Sequence, residues 1–201
     1  MKERPIIFNN EMVKAIIDGR KTQTRRIIKN SPKIPNIGAF YWFAKNAKKE
    51  DSIWNFCPYG NTGNHLWVRN NWYHYMTGAS NKNNEQAWDE ATNTVRWYAG
   101  GRIENCEPTL NSMWKKKPSI FMPRWASIIT LKIKDIRIER LQDIAENDAK
   151  EEGAPFYQDF SKNSGYRAGF IMLWDQLNAK RGYPWDSNPR VWVIRFERVK
   201  P

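Results

Sequence analysis

The sequence predicts an α+β chain that is mainly β, a barrel with helices over its openings. Short apolar runs bounded by turn formers recur along the chain, whereas helical periodicity is confined to residues 9–18, 141–152 and 167–180. Within 128–138, Ile129, Leu131 and Ile133 alternate, and the phase then slips by one at Lys134-Asp135 to Ile136 and Ile138. A one-residue slip in a period of two is what a bulge or strand bend produces, and barrels turn corners that way.

The elements follow in order. Asn9 or Asn10 caps the first helix, Glu11 suits its first turn, and Met12, Val13, Ile16 and Ile17 share one face. Gly19 stops it, and a basic loop leads into a short strand from Arg25 to Ile28. A connector with Pro32 and Pro35 follows, then two expected strands, Ala39 to Ala44 and Ser52 to Phe56, around the charged turn Lys45 to Asp51. The turn formers from Cys57 to Asn64 open a strand from Leu66 to Trp72. Residues 76–118 are polar and turn-rich, with one expected strand at Thr94 to Ala99, and suggest a surface insertion or flap. After the bent strand, a short acidic helix from Leu141 ends at Glu152 before Gly153. The last helix carries Phe170, Leu173, Trp174 and Leu177 at helical spacing, Gly182 ends it, and Val191 to Val199 is the closing strand. No repeat or low-complexity tail divides the chain, so residues 1–201 are expected as one domain with an insertion at about 76–118.

With 33 Lys and Arg against 21 Asp and Glu, the net charge is +12, which favours a polyanionic partner over an acidic small molecule. The charge is segregated: cations crowd the first 33 residues, Lys115 to Lys117 and Lys132 to Arg140, and acids collect between Asp143 and Asp159. No apolar run approaches the roughly 20 residues of a membrane span, and charged residues and Pro5 follow Met1, so a cytoplasmic location is expected. Cys57 and Cys106 stand far apart, as free thiols would. A zinc site from these two with His65 and His74 matches no common ligand spacing, and neither metal nor cofactor is expected. Of the eleven tryptophans, Trp67, Trp72, Trp174 and Trp192 are expected in the core. Trp42, Trp54, Trp97, Trp114, Trp125 and Trp185, in polar or basic company, are the candidates for stacking on bases.

The segment Gly19-Arg20-Lys21-Thr22-Gln23-Thr24-Arg25-Arg26 concentrates four cations and two hydroxyls. Crowded cations repel one another, so such a loop is worth keeping when an anion sits among them; the plain alternative is a solvated basic turn. Gly19-x-Lys21-x-x-Thr24-x-Arg26 is similar to the Gly-x-Lys-x-x-Glu-x-Arg motif of ASCH domains in the PUA-like superfamily. Cys57-Pro58-Tyr59-Gly60, Leu66-Trp67-Val68-Arg69, Met122 to Ser127 and Asn188 to Val193 resemble the ASCH-type proteins of bacteriophages and prophages. The resemblance runs over nearly the whole chain and is weakest in the middle.

It implies a PUA-like β-barrel, binding of RNA or a modified nucleotide, and a host-cell cytoplasmic setting. One bacterial branch of the family hydrolyses the amide of N4-acetylcytidine. In that branch Thr also replaces the motif's Glu, and Lys21 and Thr24 match its catalytic residues, with Glu152 at the third position and Glu151 beside it as competitor. Phage relatives read Gly-Asp-Arg-Leu-Trp-Val-Arg-Glu-Thr-Trp where this chain has Asn70 and Asn71 for the Glu-Thr pair.

The residues support three functions. Binding would use Arg20, Gln23, Arg25, Arg26, Arg69, Arg124 and Trp125 against phosphate and base. Amide hydrolysis would use Lys21, with its pKa depressed by neighbouring cations, to activate Thr24, and Glu152 to protonate the leaving amine. Capture of a host protein by exposed aromatics is the third, and a bare ion pair of Lys21 with Glu152 closing the barrel is the structural alternative.

Overall fold

The computed structural model describes residues 2–29, 36, 38–40, 52–75, 86–89, 91–92, 94–97, 103–105, 114–158 and 164–199. The fold is sheet-rich α+β, built on open sheets, and it divides into two compact units. The first comprises residues 1–17, 65–132 and 198–201; the second comprises 18–64 and 133–197.

In the first unit, β1 (Glu3–Ile7) runs parallel to β3 (His65–Arg69), whose register continues antiparallel onto the first residues of β9 (Thr130–Arg140). Leu66, Trp67 and Val68 are buried consecutively, as befits a strand covered on both faces. Helix α1 (Asn10–Ile17) buries Val13, Ala15 and Ile16, and the Met12 amide donates to the Asn9 side chain at 2.8 Å, the expected cap. The strand expected from Leu66 to Trp72 is interrupted. After Arg69 the chain leaves β3 and resumes as β4 (Trp72–Tyr75) in a second sheet. That sheet adds β5 (Gln86–Asp89), β6 (Thr94–Trp97), β7 (Ile103–Asn105) and β8 (Trp114–Lys117), all antiparallel in the order β7-β6-β5-β4-β8. The strand expected at Thr94 to Ala99 appears as β6, whereas the polar composition of 76–118 hid β5, β7 and β8, because period-two alternation over three or four residues is a weak signal.

The interruption has a chemical cause. Asn70, 1% exposed, donates from its side-chain amide to the buried carboxylate of Asp89 at 2.7 Å. Asp89 also accepts the Ala91 and Thr92 amides at 2.9 and 3.2 Å, a side-chain turn that closes the β5–β6 connection. An acid at position 70, as in the phage-type pattern, would face a second buried carboxylate.

In the second unit, the rest of β9 lies beside β10 (Arg190–Val199), and β10 pairs antiparallel with β2 (Gln23–Ile27). Burial along β9 follows the expected slip: Leu131 and Ile133 are buried, then Ile136 and Ile138. Strand β2 begins two residues earlier than Arg25. Residues 52–56 form a 3-10 turn instead of a strand, with the Cys57 amide donating to Trp54 carbonyl oxygen and the Trp54 ring edge-on to buried Trp192. Ala39 and Phe40, expected in a strand, belong to a helical turn opened by Asn36; residues 41–51 lie outside the described residues.

The acidic segment splits into a 3-10 turn (Leu141–Asp143) and helix α2 (Glu146–Glu151). Helix α3 (Tyr166–Asn178) then packs Phe170 and Trp174 into a core with Leu141, Ile144, Ala149, Ala154, Val191 and Val193. Leu177, expected on that stripe, remains 37% exposed. Gly169 has a packing reason: a Cβ there would lie 1.9 Å from the Pro155 carbonyl oxygen, so only glycine lets α3 meet this turn. The blocks that carry the family resemblance have structural duties. Ser127 donates to Val68 carbonyl oxygen at 2.7 Å, and Asn188, at φ +40°, accepts from Arg140 and the Gln142 amide.

Candidate functional site

Three elements of the second unit each present a pair of polar side chains on one face. Alternation along β2 points Gln23 and Arg25 the same way, and alternation along β9 does so for Arg137 and Glu139. Helical spacing aligns Asp148 with Glu152 at the end of α2. Gly153, at φ +75°, turns the chain there, a conformation that glycine adopts without strain. The Thr22 amide donates to Glu151 carbonyl oxygen at 2.8 Å, and Lys21 and Glu152 form a backbone bridge. The motif segment is thereby fastened to the helix end.

These pairs converge. Lys21 Nζ donates to the Glu152 carbonyl oxygen at 2.6 Å and to Oε2 at 3.0 Å. Arg25 donates to Glu152 Oε1 at 3.1 Å, Glu139 Oε2 at 2.9 Å and Asp148 Oδ2 at 3.3 Å, with its guanidinium near the Phe170 ring. Gln23 Nε2 donates to the Asp148 carbonyl oxygen and Oδ1 at 2.8 and 3.0 Å. Arg137 closes the ring onto Glu139 and Asp148. Lys21 and Arg25 are 2% and 4% exposed, so the segment is neither a solvated turn nor an open anion site but a buried charge lock that includes the Lys21–Glu152 ion pair. The anion among the crowded cations is the protein's own: three carboxylates against Lys21, Arg25 and Arg137.

Burial lowers the pKa of Lys21, since desolvation outweighs the attraction of Glu152, and Arg25 and Arg26 push the same way. Burial opposes ionisation of Asp148, yet Gln23, Arg25 and Arg137 together hold its pKa down. Arg26 is lowered by desolvation, partly offset by Tyr59 and Glu152.

The remaining expected residues divide sharply. Thr24 is buried, its backbone opposite Ile194. Arg20 is exposed and paired with Asp18. Arg25, expected against a ligand phosphate, faces inward. Glu152, and not Glu151, meets Lys21; Glu151 reaches Arg195 at 3.2 Å. Arg69, Arg124 and Trp125 belong to the first unit. There Arg69 lies over the Trp67 ring and donates to Ile120 carbonyl oxygen, Arg124 pairs with Glu3 at 2.8 Å, and Trp125 packs edge-on to Trp72. Among the stacking candidates, Trp54, Trp114 and Trp185 are half-buried against Trp192, Tyr75 and Phe170; Trp42 and the Trp97 side chain lie outside the described residues. Trp88, which the sequence analysis passed over, is buried against Tyr73. Glu139, Asp148 and Arg137 were missed as site members, although the spacing of Asp148 and Glu152 was visible. Cys57 is buried, and Cys106 lies outside the described residues. Among the described residues, no group of three or more His, Cys, Asp or Glu is placed to hold a metal, and no helix is long and apolar enough to cross a membrane.

No protein-family model and no curated protein matches the chain. Among solved structures, the chain is similar to the ASCH domain from Lactobacillus crispatus JV V101, with 10% identity, a TM-score of 0.42, and coverage of 98% of this chain and 79% of that one. A likeness at this level fixes neither fold nor function.

Proposed function

We propose that the protein binds nucleic acid or a modified nucleotide, RNA above DNA, as an ASCH-type protein of the phage or prophage kind working in the host cytoplasm. In this reading the chain is one PUA-like barrel domain with 76–118 inserted, and Lys21, Thr24, Arg26 and Glu152 line its pocket. The observation that carries the binding function is the neutrality of the charge lock. Three cations meet three carboxylates inside, so the whole +12 belongs to the rest of the chain, where a polyanion would meet it. The test is binding of RNA and DNA oligonucleotides of equal sequence across a salt series. Log K is expected to fall linearly with log salt, with a slope of about −0.7 per phosphate contacted on single strands. Salt-independent binding, or none, would overturn it.

A second reading is favoured by the depressed pKa of Lys21. In the form of Lys21 that has lost its proton, the amine keeps two N–H bonds for the two Glu152 oxygens, and its lone pair would take the Thr24 proton. Attack of that hydroxyl on an N4-acyl cytidine would form an acyl ester on Thr24, with Glu152 relaying the proton from Lys21 to the leaving amine, and water would then hydrolyse the ester and free Thr24. Lys21→Ala and Thr24→Ala would each reduce N4-acetylcytidine turnover by about 10²–10⁴-fold. Hydrolysis by the unmodified protein no faster than buffer would exclude this reading and leave binding intact.

A further inference from the structure

The first unit contains a cavity that neither the charge lock nor its chemistry uses. It measures about 650 Å³, a size that suits a small ligand, and lies against β4, β8 and the turns between Pro118 and Trp125. Its wall is aromatic: Trp72, His74, Phe121 and Trp125 contribute, with Trp125 edge-on to Trp72 at 6.3 Å. Phe121, 69% exposed, stands next to Ile120, 59% exposed, so apolar surface borders the cavity. Among the described residues that line the cavity there is no carboxylate.

Lysines supply its charge: Lys117, opposite Trp72 in the strand register, and Lys116 both line the cavity, and Lys116 also holds its ammonium over the Tyr73 ring at 5.4 Å. Trp72, 4% exposed, gives the cavity a fixed aromatic wall.

Flat aromatic walls edged by two lysines, with no carboxylate among the described lining residues, together describe one ligand chemistry. We propose that this cavity binds a nucleotide unit, with the base against Phe121 and Trp125 and the phosphate toward Lys117. A free nucleotide and an unpaired nucleotide in a strand share that chemistry. The proposal takes from the nucleic-acid reading only the expectation that the nucleotide belongs to a strand.

Calorimetry with adenosine 5′-monophosphate and with inorganic phosphate, and anisotropy with a fluorescein-labelled eight-residue oligouridylate, test it on the full chain. Phe121→Ala is the main variant because its exposed side chain leaves the fold undisturbed; Trp125→Ala is the second, with circular dichroism reporting its folding. Each is expected to weaken the base-bearing probes by about 5- to 150-fold, the range for loss of one stacked aromatic. Lys117→Gln should lower the salt slope for the oligonucleotide by about 0.7. Inorganic phosphate should bind too weakly to detect. Sensitivity of the oligonucleotide to these changes assigns the site to a strand. Sensitivity of the mononucleotide with no oligonucleotide binding keeps the site and removes the nucleic-acid reading. Oligonucleotide binding indifferent to Phe121→Ala and Lys117→Gln overturns the site and leaves that reading standing. Failure of both probes to bind overturns both.

Discussion

The two compact units bury charge in opposite ways. The second answers buried cations with carboxylates: Glu152 lies between Lys21 and Arg25, and Arg25 reaches three acids. The first answers the buried acid Asp89 with neutral donors, the Asn70 side chain and the amides of Ala91 and Thr92. The pKa directions record the difference. Asp148 is held low by its hydrogen bonds and neighbouring cations, which outweigh burial, whereas burial raises Asp89 beyond what its hydrogen bonds recover. Ionic partners keep a carboxylate charged, and neutral donors only soften the cost of burying it.

The largest expected effect comes from removing the cation that three acids share. Arg25→Met leaves Glu139, Asp148 and Glu152 crowded without their common partner. Breaking such a buried pair costs about 3–5 kcal/mol, measurable by urea denaturation. A loss below about 1 kcal/mol would mean that Arg137 alone holds the acids together. In the first unit, Asn70→Asp replaces the best donor to Asp89 with a second buried carboxylate. A loss of about 2–3 kcal/mol at neutral pH is expected, shrinking in mild acid as one carboxyl takes a proton. An effect that does not vary with pH would contradict the neutral-donor account.

Acidification of the unmodified protein should separate the units with smaller changes. Asp148, with its folded pKa depressed, contributes stability above its ordinary carboxyl range, and loses it as pH falls through the folded value. Asp89, with its folded pKa raised, contributes stability below that range, and loses it as pH rises through the folded value. Hydrogen exchange in acid should therefore show α2 loosening while the β5–β6 connection holds; the reverse order would break the comparison. At the alkaline end, the depressed pKa of Lys21 makes stability rise with pH from the folded value up to the ordinary lysine range, because the unfolded chain binds the extra proton there. The smallest effect belongs to the exposed pair Glu3–Arg124, both 40% accessible at the side chain. Glu3→Gln should cost under about 1 kcal/mol, and less in salt.

Local chemistry was legible in the sequence, and non-local pairing was not. The Asn9 cap, the Val13–Ile16 part of the expected α1 face (Ile17 is exposed), the turn at Gly153, the phase slip in β9 and the Phe170–Trp174 stripe all depend on residues a few positions apart, and each appears. The strand expected at Ser52–Phe56 became a 3-10 turn because Trp54 meets Trp192, far along the chain. The run Leu66–Trp72 divided because Asn70 answers Asp89. The cations of the Gly19–Arg26 segment were plain from the start, but charge alone does not distinguish a surface that awaits an anion from a core that already holds one. Tertiary structure decided it by bringing Glu139 and Glu152 to Arg25 and Lys21, partners 114 and 131 residues away. Desolvation makes that choice strict, because a buried cation must find its counter-charge inside the fold wherever the chain carries it.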